Sequence, residues 1–332
     1  MWTGYETGVP ASAERYQNPY LYTKSSSKTY NGKFGPDVFQ NFIIDFINQP
    51  RDQPFFIYYP MVLPHTPFVD TPDEIGKDKL SKHKAMVRYI DKITGNIVKA
   101  LETTNQRENT LIIWTTDNGS TRVITGKYKG QPVKGGKMTN GEPGINAPFI
   151  ASWPKFIPPK SESTALIDFT DLYPTFLELA GVSVPKEWEE NGIVHFLDGQ
   201  SFKSVLQDNA PTSSRDWILS MGGGNHAQLT KKGVENQYVF RDRMLRTERY
   251  KMHINSFGEA DEFYDLQEDP FEKENLIWNK QAWSQQANQA FDLLFSVKAI
   301  FPEKDADPKY QPNPVQDWDV DIEVESEVWK IR

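Results

Sequence analysis

The most informative absence in this sequence of 332 residues is cysteine, which does not occur at all. Disulfide bonds, thiolate metal sites and cysteine nucleophiles are therefore excluded within these residues. Histidine is scarce as well, because there are only five, and none has another histidine three or four positions away. The pair of histidines with which one helix face binds zinc is thus also absent. Thiol chemistry and helical zinc pairs can be set aside as the basis of function.

The sequence also lacks membrane and export signals. No uninterrupted apolar run is long enough to span a bilayer, so no membrane partner is expected. The first residues show no basic segment followed by an apolar one, so no signal peptide is expected. The net charge of −8 argues against nucleic acid as a partner. With 38% hydrophobic and 25% charged residues, the chain is typical of a globular protein of about two domains.

The stretch from Thr110 to Ser120, TLIIWTTDNGS, changes abruptly from apolar to polar. Its first half is β-branched and aromatic, as expected of a strand buried on both faces. Asp117, Asn118 and Gly119 follow at once. One interpretation is a simple turn, because these residue types favour turns. The other is a ligand site, because ligands of open α/β sheets lie beyond the carboxyl ends of the strands, and Asp and Asn offer oxygens that suit Ca²⁺ or Mg²⁺.

A basic segment follows this turn directly. It contains five cations and no acid, namely Arg122, Lys127, Lys129, Lys134 and Lys137. It is also rich in glycine, which predicts a flexible loop. One interpretation is an ordinary solvated loop. The other is a local anion trap in an otherwise acidic protein, beside a candidate metal site. The residues alone leave both open.

The order of apolar and polar segments predicts the architecture. The predicted elements are a strand at 55–59, a helix at 79–104, the strand that ends before Asp117, strands at 147–152 and 164–169, and a helix within 170–181. This alternation predicts an α/β fold with a mostly parallel sheet flanked by helices. His65 lies between prolines in the loop after the first strand. Because the carboxyl ends of parallel strands meet at one edge of a sheet, we expect His65 and Asp117 to lie close together.

The pattern changes after about residue 210. Short strands are predicted at 217–221, 238–245, 249–254 and 262–266, followed by an amphipathic helix over about 280–300. Their close spacing predicts a smaller antiparallel sheet packed by a helix. We therefore expect an α/β domain over 1–210 and an α+β subdomain over 211–332. In residues 317–328, acids alternate with apolar residues, which predicts an edge strand with one acidic face.

Taken in order, several of these segments resemble the sulfatase family, the formylglycine-dependent relatives of alkaline phosphatase. The resemblance covers residues 34–276. Its most specific segments are PFFIYYPMVLPHTPF, TTDNGS, KGGKMTNGEPGINAPFIASWP, DLYPTFLELAG, DGQSF and RTERYKMH with EFYDLQEDPFEKENL. Each is modest alone, whereas their order and spacing together are specific. The resemblance implies an alkaline-phosphatase-like fold and the hydrolysis of a sulfate ester, with a sulfated sugar as the expected substrate.

The resemblance also assigns roles to individual residues. Asp117 and Asn118 match an Asp-Asn pair that helps to hold Ca²⁺ in sulfatases. His65 matches a histidine that contacts the sulfate ester. Lys137 matches a sulfate-binding lysine, with Lys134 and Arg122 as further candidates for substrate binding. The pattern departs from the family at Pro143 and Asn146, where glycine and arginine are usual.

The nucleophile of the family has no counterpart in these residues. Sulfatases carry Cys or Ser followed by x-Pro-x-Arg, and convert the first residue to formylglycine. The segment SVPKE, from Ser183 to Glu187, ends in an acid instead. We therefore expect a sulfatase portion without the formylglycine segment, catalytically incomplete by itself and with weak or absent Ca²⁺ binding.

Two alternatives stay open beside the sulfatase hypothesis. One is a phosphodiesterase or phosphonate hydrolase of the same superfamily, which would share the metal ligands but prefer phosphorus esters. The other is a non-catalytic protein that retains the fold. The family implies a periplasmic or secreted protein, while the sequence does not indicate an oligomeric state.

Overall fold

A computed structural model of the protein describes residues 3–4, 15–23, 26–190, 192–208, 215–221, 228–230, 233–235 and 242–301. The chain forms two compact units. The described residues up to 110 form the first unit, and those from 111 onwards form the second. The domain boundary expected near residue 210 stays a prediction. The acidic edge strand expected at 317–328 lies outside the described residues.

The first unit combines a small sheet with two helices. Strands β1 (Thr3–Gly4), β2 (Tyr20–Thr23) and β3 (Ser26–Thr29) form an antiparallel sheet in that order. Helix α1 spans Gly35–Asn48, and helix α2 spans Lys79–Thr103. The two helices contact each other through polar as well as apolar side chains. Tyr89 donates a hydrogen bond to Asp37 at 2.7 Å, and Asn96 donates one to Gln40 at 2.8 Å.

Helix α2 confirms the predicted helix at 79–104 within one residue at its end. Asp78 caps its amino terminus, because its carboxylate accepts from the Ser81 amide at 2.7 Å and the Ser81 hydroxyl accepts from the Asp78 amide at 2.9 Å. Such a capping box satisfies two backbone donors that the first turn leaves free. The predicted apolar stripe is buried, as Met86, Tyr89, Ile90 and Ile93 are all at most 6% exposed.

The stretch 55–59, predicted to be a buried strand, has no regular secondary structure and pairs with no described strand. Phe56 and Tyr58 are 69% and 80% exposed. A strand needs ladder hydrogen bonds and cover over its apolar faces, and the described residues provide neither here. The predicted strand at 164–169 is also wrong. The Asp168 carboxylate accepts from the Thr170 amide at 2.9 Å, and this bond opens a 3₁₀ turn over Phe169–Asp171 instead.

The second unit begins with the strand that precedes Asp117. Strand β4 (Ile112–Thr115) is followed by the hairpin of β5 (Thr125–Tyr128) and β6 (Gln131–Lys134), by the short helix α3 (Glu142–Ile145) and by strand β7 (Phe149–Ser152). Strand β7 pairs with β4, and the pair is antiparallel, with Thr115 opposite Phe149.

The antiparallel pairing differs from the expected parallel one for a geometric reason. A parallel pair needs a connection that carries the chain back to the starting end of the first strand. Here the connection stays at the carboxyl end of β4, because the Gly119 amide donates to Gly144 O at 2.8 Å. Strand β7 therefore starts beside the end of β4 and runs back along it. All strand pairs between described residues are antiparallel.

Helix α4 (Leu172–Leu179) confirms the helix predicted within 170–181, including Gly181 just beyond its end with φ of +72°. A buried carboxylate fixes its amino terminus. Asp171 is 1% exposed and accepts hydrogen bonds from Arg215 Nε at 2.8 Å and from the Gln200 amide at 2.7 Å. A buried charge needs such pairing, so these contacts are structural.

The rest of the second unit is built around one antiparallel sheet. A hairpin of β8 (Glu187–Glu190) and β9 (Ile193–Phe196) and helix α5 (Lys203–Asp208) lead to strands β10 (Ile218–Met221), β11 (Gln228–Thr230), β12 (Gly233–Glu235), β13 (Arg243–Arg246), β14 (Tyr250–Ile254) and β15 (Ala260–Asp265). The sheet order is β10-β13-β14-β15, with β11 and β12 as a separate pair.

Helix α6 (Gln285–Lys298) packs on this four-stranded sheet. Its buried residues Ala287, Ala290 and Leu294 contact a core that includes Leu245 and Phe263. The predicted antiparallel sheet with a covering helix is thus confirmed. No helix in the described part of the chain combines the length and apolar character that crossing a membrane would need.

Candidate functional site

Asp117 and Asn118 lie in the turn directly after β4. Asp117 is exposed and Asn118 is half-buried. The hydroxyl of Thr116 donates to the Asn118 carbonyl oxygen at 3.1 Å, which holds the turn closed. Gly119 is required by close packing, because a Cβ at this position would lie 2.0 Å from the Pro143 carbonyl oxygen. Both candidate ligands therefore follow the end of strand β4. The backbone after them packs closely against Pro143.

A backbone hydrogen bond holds Lys137 beside this turn. Its amide donates to Ser120 O at 3.0 Å, two residues past Asn118. The preceding glycines make this approach possible, because a Cβ on Gly135 would lie 2.2 Å from Thr121 O. Lys137 itself is half-buried, unlike the exposed cations that precede it in the segment. The segment is therefore brought to the carboxyl end of β4, where the sequence predicts an anion-binding cation.

Arg122 and Lys134 lie at the base of the β5–β6 hairpin. Arg122 is in the turn that precedes β5, and Lys134 is the last residue of β6, opposite Thr125. Both side chains are exposed. The basic segment is thus largely an ordered hairpin instead of the flexible loop that its glycines predict. Its base is tied by the Gly135 amide, which donates to Ile124 O at 2.8 Å.

His65 belongs to the first unit, in the loop between residue 59 and helix α2. Tyr16, which is fully buried, donates through its hydroxyl to the carbonyl oxygens of His65 and Val62, the latter at 2.8 Å. Burial raises the pKa of the Tyr16 hydroxyl above its usual value, so the group stays protonated and remains a donor. The His65 amide donates to Val62 O at 3.0 Å. These bonds fix the backbone of an exposed histidine.

The hydrogen bonds of His65 also select a tautomer. Its Nδ1 lies 2.7 Å from Thr66 O, and a carbonyl oxygen can only accept. Nδ1 therefore carries the hydrogen, and the guanidinium of Arg15, with Nη1 at 3.4 Å from Nδ1, cannot donate to it as well. The carbonyl supports the imidazole on one side and leaves Nε2 for a ligand.

The donor chemistry of Asp117 and Asn118 suits a hard cation such as Ca²⁺, but their number does not complete a site. Calcium takes six to eight oxygen ligands in general. Among the described residues, no group of three or more His, Cys, Asp or Glu side chains could hold a metal ion. We therefore treat the pair as part of a ligand set and base no chemical step on a bound metal.

The structure brings Asp117, Asn118 and the Lys137 backbone together within the second unit. His65 lies in the other unit, so its distance from Asp117 stays a prediction. The sequence analysis missed a second group of polar residues, formed by Asn140, Asp242 and His253. The signal was present in the segment YKMHI of β14, whose alternation indicates a sheet with one apolar and one polar face.

Comparison with known families identifies two matching models. The model described as Sulfatase matches residues 3–182, which is more than half of the chain. The model described as N-sulphoglucosamine sulphohydrolase, C-terminal, matches residues 137–294. The two matches overlap over the segment that carries Lys137 and helix α4.

Curated relatives of this chain are named as sulfatases. An ulvan-active sulfatase of Formosa agariphila is 30% identical over 220 residues, which cover 58% of this chain and 38% of the relative. The N-acetylgalactosamine-6-sulfatase of Homo sapiens is 31% identical and is covered over 29% of its length by 45% of this chain. The N-acetylgalactosamine-6-O-sulfatase of Bacteroides thetaiotaomicron is 26% identical, with 79% of this chain and 50% of the relative covered. The chain therefore spans at most half the length of these three relatives.

Solved structures share the fold. A protein in complex with its substrate D-glucosamine-2-N,6-O-disulfate superposes with a TM-score of 0.64 and 18% identity, covering 86% of this chain and 73% of the other. A second, from work on glycosaminoglycan metabolism by Bacteroides thetaiotaomicron, gives 0.63 and 20%, covering 87% and 67%. At such identities the likeness concerns the fold, which is the alkaline-phosphatase-like α/β fold predicted from the sequence. Because the Sulfatase model matches more than half of this chain, the chain belongs to the sulfatase family.

Proposed function

We propose that this chain carries the sulfate-binding groups of a sulfatase site and serves the hydrolysis of a sulfate ester on a sugar. The observation that supports this most directly is the hydrogen bond from the Lys137 amide to Ser120 O. This bond holds the backbone of Lys137, a half-buried residue, next to the turn that carries Asp117 and Asn118. A cation beside two oxygen ligands is an arrangement in which a metal and a lysine can share one anion.

Each residue has a definite role in this proposal. Lys137 neutralises charge that spreads over the sulfate oxygens, with Lys134 and Arg122 adding to the local positive field. Asp117 and Asn118 supply part of the ligand set of a Ca²⁺ ion, which, when bound, would polarise the sulfate oxygens. His65, with Nδ1 held by Thr66 O, gives a proton to the leaving oxygen from Nε2 when it is in the imidazolium form.

The relatives support a sugar as the leaving group. Those with the most similar sequences are named as sulfatases of ulvan, N-acetylgalactosamine and N-acetylglucosamine. A sugar hydroxyl is a poor leaving group unless it is protonated, so a positioned acid such as His65 fits this substrate class better than an aryl sulfate.

The test is a calorimetric titration of the 332-residue chain with N-acetylgalactosamine 6-sulfate in the presence of Ca²⁺. We expect binding that Lys137→Ala weakens about tenfold, the effect of losing one charge-assisted contact. Lys155→Ala is the matched control, because this exposed lysine follows β7 at the opposite end of the β4–β7 pair.

Two results would contradict the proposal. Equal losses for Lys137→Ala and Lys155→Ala would show that only the total charge matters. Tighter binding of N-acetylgalactosamine 6-phosphate than of the sulfate would instead favour the phosphorus-ester alternative. The same titration tests the proposed contact of His65 with the substrate. It compares the affinity of His65→Ala with that of the control variant His195→Ala.

A further inference from the structure

A cleft of about 520 Å³ opens in the second unit, next to the segment that carries Lys137. Residues that follow Lys137 form one wall, and the four-stranded sheet forms the other. The wall residues are Met138, Thr139, Asn140, Gly141 and Pro143, and the sheet side contributes Asp242, Lys251, His253, Glu262, Tyr264, Phe271 and Glu272. This volume lies within the range of about 300–1,000 Å³ that is usual for small-molecule sites.

The cleft lies on the sheet face opposite helix α6. Along β14, Tyr250, Met252 and Ile254 belong to the core that α6 covers, whereas the alternate residues Lys251 and His253 line the cleft. Successive side chains of a strand point to opposite faces, so one face of this sheet is structural and the other is polar and open.

A buried charge network holds the two walls together. Lys251 is 3% exposed and forms ion pairs with Glu272 and, at 3.3 Å, with Glu142. Glu142 also pairs with Arg246 at 2.9 Å, and its amide donates to the Glu272 carboxylate at 2.8 Å. These contacts join helix α3 to strands β13 and β14. These four charged side chains therefore pair with one another and hold the two walls of the cleft together.

Three further polar side chains are oriented by one another. The Asn140 amide nitrogen donates to Asp242 Oδ2 at 3.1 Å, and its oxygen accepts from Ser220 at 3.3 Å. His253 lies between two carboxylates, with Nδ1 at 2.8 Å from Asp261 and Nε2 at 3.4 Å from Asp242. A carboxylate offers about four acceptor sites, so Asp242 keeps capacity for a further donor.

An apolar rim accompanies these acceptors. Met138 is 69% exposed beside Lys137. Phe271 contacts Tyr128 of the hairpin edge to face, with ring centroids 6.1 Å apart. Tyr264 lies in the wall and is 9% exposed. Flat apolar surfaces next to fixed hydrogen-bond acceptors match a pyranose ring, whose faces are apolar and whose edge carries hydroxyl donors.

We propose that this cleft binds the sugar ring of the sulfated substrate, with Asp242 contacting its hydroxyl groups and His253 holding Asp242 in position. The inference rests on the proposed function, since it takes the sulfate to lie at Lys137. Asp242 accepts hydrogen bonds from ring hydroxyls, and the Phe271 side of the rim covers a ring face. The carboxylates of Asp242 and Glu262 make the cleft acidic, so a second sulfate on the ring is repelled. The site therefore selects a sugar with one sulfate group.

The experiment is a set of calorimetric titrations of the full 332-residue chain. The ligands are inorganic sulfate, N-acetylgalactosamine 6-sulfate and N-acetylgalactosamine 4,6-disulfate. The variants are Asp242→Asn, which keeps the shape of the side chain, and His253→Gln. Asp292→Asn, an exposed carboxylate on α6 on the other side of the sheet, is the control. Thermal unfolding of each variant checks that the fold is retained.

We expect the chain to bind the monosulfated sugar more tightly than either inorganic sulfate or the disulfated sugar. Asp242→Asn and His253→Gln should each reduce the affinity for the monosulfated sugar about tenfold, as expected for one hydrogen bond to a charged group. Neither should change the affinity for inorganic sulfate, whereas Lys137→Ala should weaken both ligands.

The outcomes separate the two proposals. If Lys137→Ala weakens sulfate binding but Asp242→Asn and His253→Gln leave the sugar preference intact, the cleft assignment is wrong and the proposed function stands. Tighter binding of the disulfated sugar overturns the selection for one sulfate. If neither sulfate nor sugar sulfate binds to the unchanged chain, the proposed function fails, and the cleft assignment fails with it.

Discussion

At the scale of single residues, His65 offers the sharpest prediction. Because Nδ1 faces Thr66 O at 2.7 Å, we expect neutral His65 to be the Nδ1–H tautomer, which is the less common form of histidine in solution. Long-range ¹H–¹⁵N NMR spectra of the chain distinguish the two tautomers by their nitrogen shifts, and a His65→Gln variant assigns the signal. An Nε2–H pattern for this residue would contradict this prediction, because it would show that Thr66 O does not accept a hydrogen from Nδ1.

The same scale shows what residue types alone could predict. Asp117 and Asn118 were found because an apolar strand is followed by two oxygen-bearing side chains, and this contrast is local. Lys137 was found by resemblance, and its hydrogen bond to Ser120 O joins residues 17 positions apart in sequence. Asp242 and His253 were not found. Their partners Asn140 and Asp261 lie on different segments, so only the folded backbone brings the group together.

At the scale of elements, Arg249 and Asp265 join β14 to β15 by two hydrogen bonds of 2.8 and 2.6 Å. Burial raises the pKa of Asp265, but the hydrogen bonds and charge of Arg249 outweigh it and hold the pKa below its usual value. A lowered folded pKa gives stability that is complete above the unfolded pKa and is lost as pH falls through the folded one. We therefore expect Asp265→Asn to lower the free energy of unfolding by about 2 kcal/mol near pH 7.

The pH dependence distinguishes this pair from general packing. Urea unfolding, followed by circular dichroism from about pH 6 to about pH 2, should show a steeper loss of stability for the unchanged chain than for Asp265→Asn. Asp292→Asn should retain the slope of the unchanged chain, because that carboxylate is exposed on α6. Parallel slopes for the unchanged chain and Asp265→Asn would show that the pair does not control acid unfolding.

Elements governed by local signals were predicted well. Helix α2 has a capping box and an apolar stripe, and the strands of the antiparallel sheet alternate in a regular way. Helix α1 was missed, although Pro36 near its start and the buried Phe39, Ile43 and Ile47 carry a helical pattern. The direction of β7 could not be predicted, because it follows from backbone contacts such as that of Gly119 with Gly144 O across the connection.

At the scale of the whole molecule, the oxygen ligands in the chain limit calcium binding. Asp117 and Asn118 supply two side chains, against the six to eight ligands that Ca²⁺ takes in general. We expect calorimetry to give a dissociation constant weaker than about 10⁻⁴ M for Ca²⁺, with little change on Asp117→Asn. A tighter constant that Asp117→Asn abolishes would show that further ligands complete the site.

The whole chain should also bind sulfate esters without turning them over. The sulfatase nucleophile is a formylglycine made from Cys or Ser within a C/S-x-P-x-R pattern, and these 332 residues contain no cysteine, while SVPKE ends in Glu187. Lys137 and His65 do not depend on the nucleophile, so binding and chemistry are separable. An aryl sulfate should therefore be hydrolysed at the background rate by protein that binds sugar sulfate in calorimetry. Hydrolysis above background that disappears in Lys137→Ala would contradict this, because it would require a nucleophile among the residues present. Hydrolysis that persists unchanged in that variant would identify a contaminating enzyme.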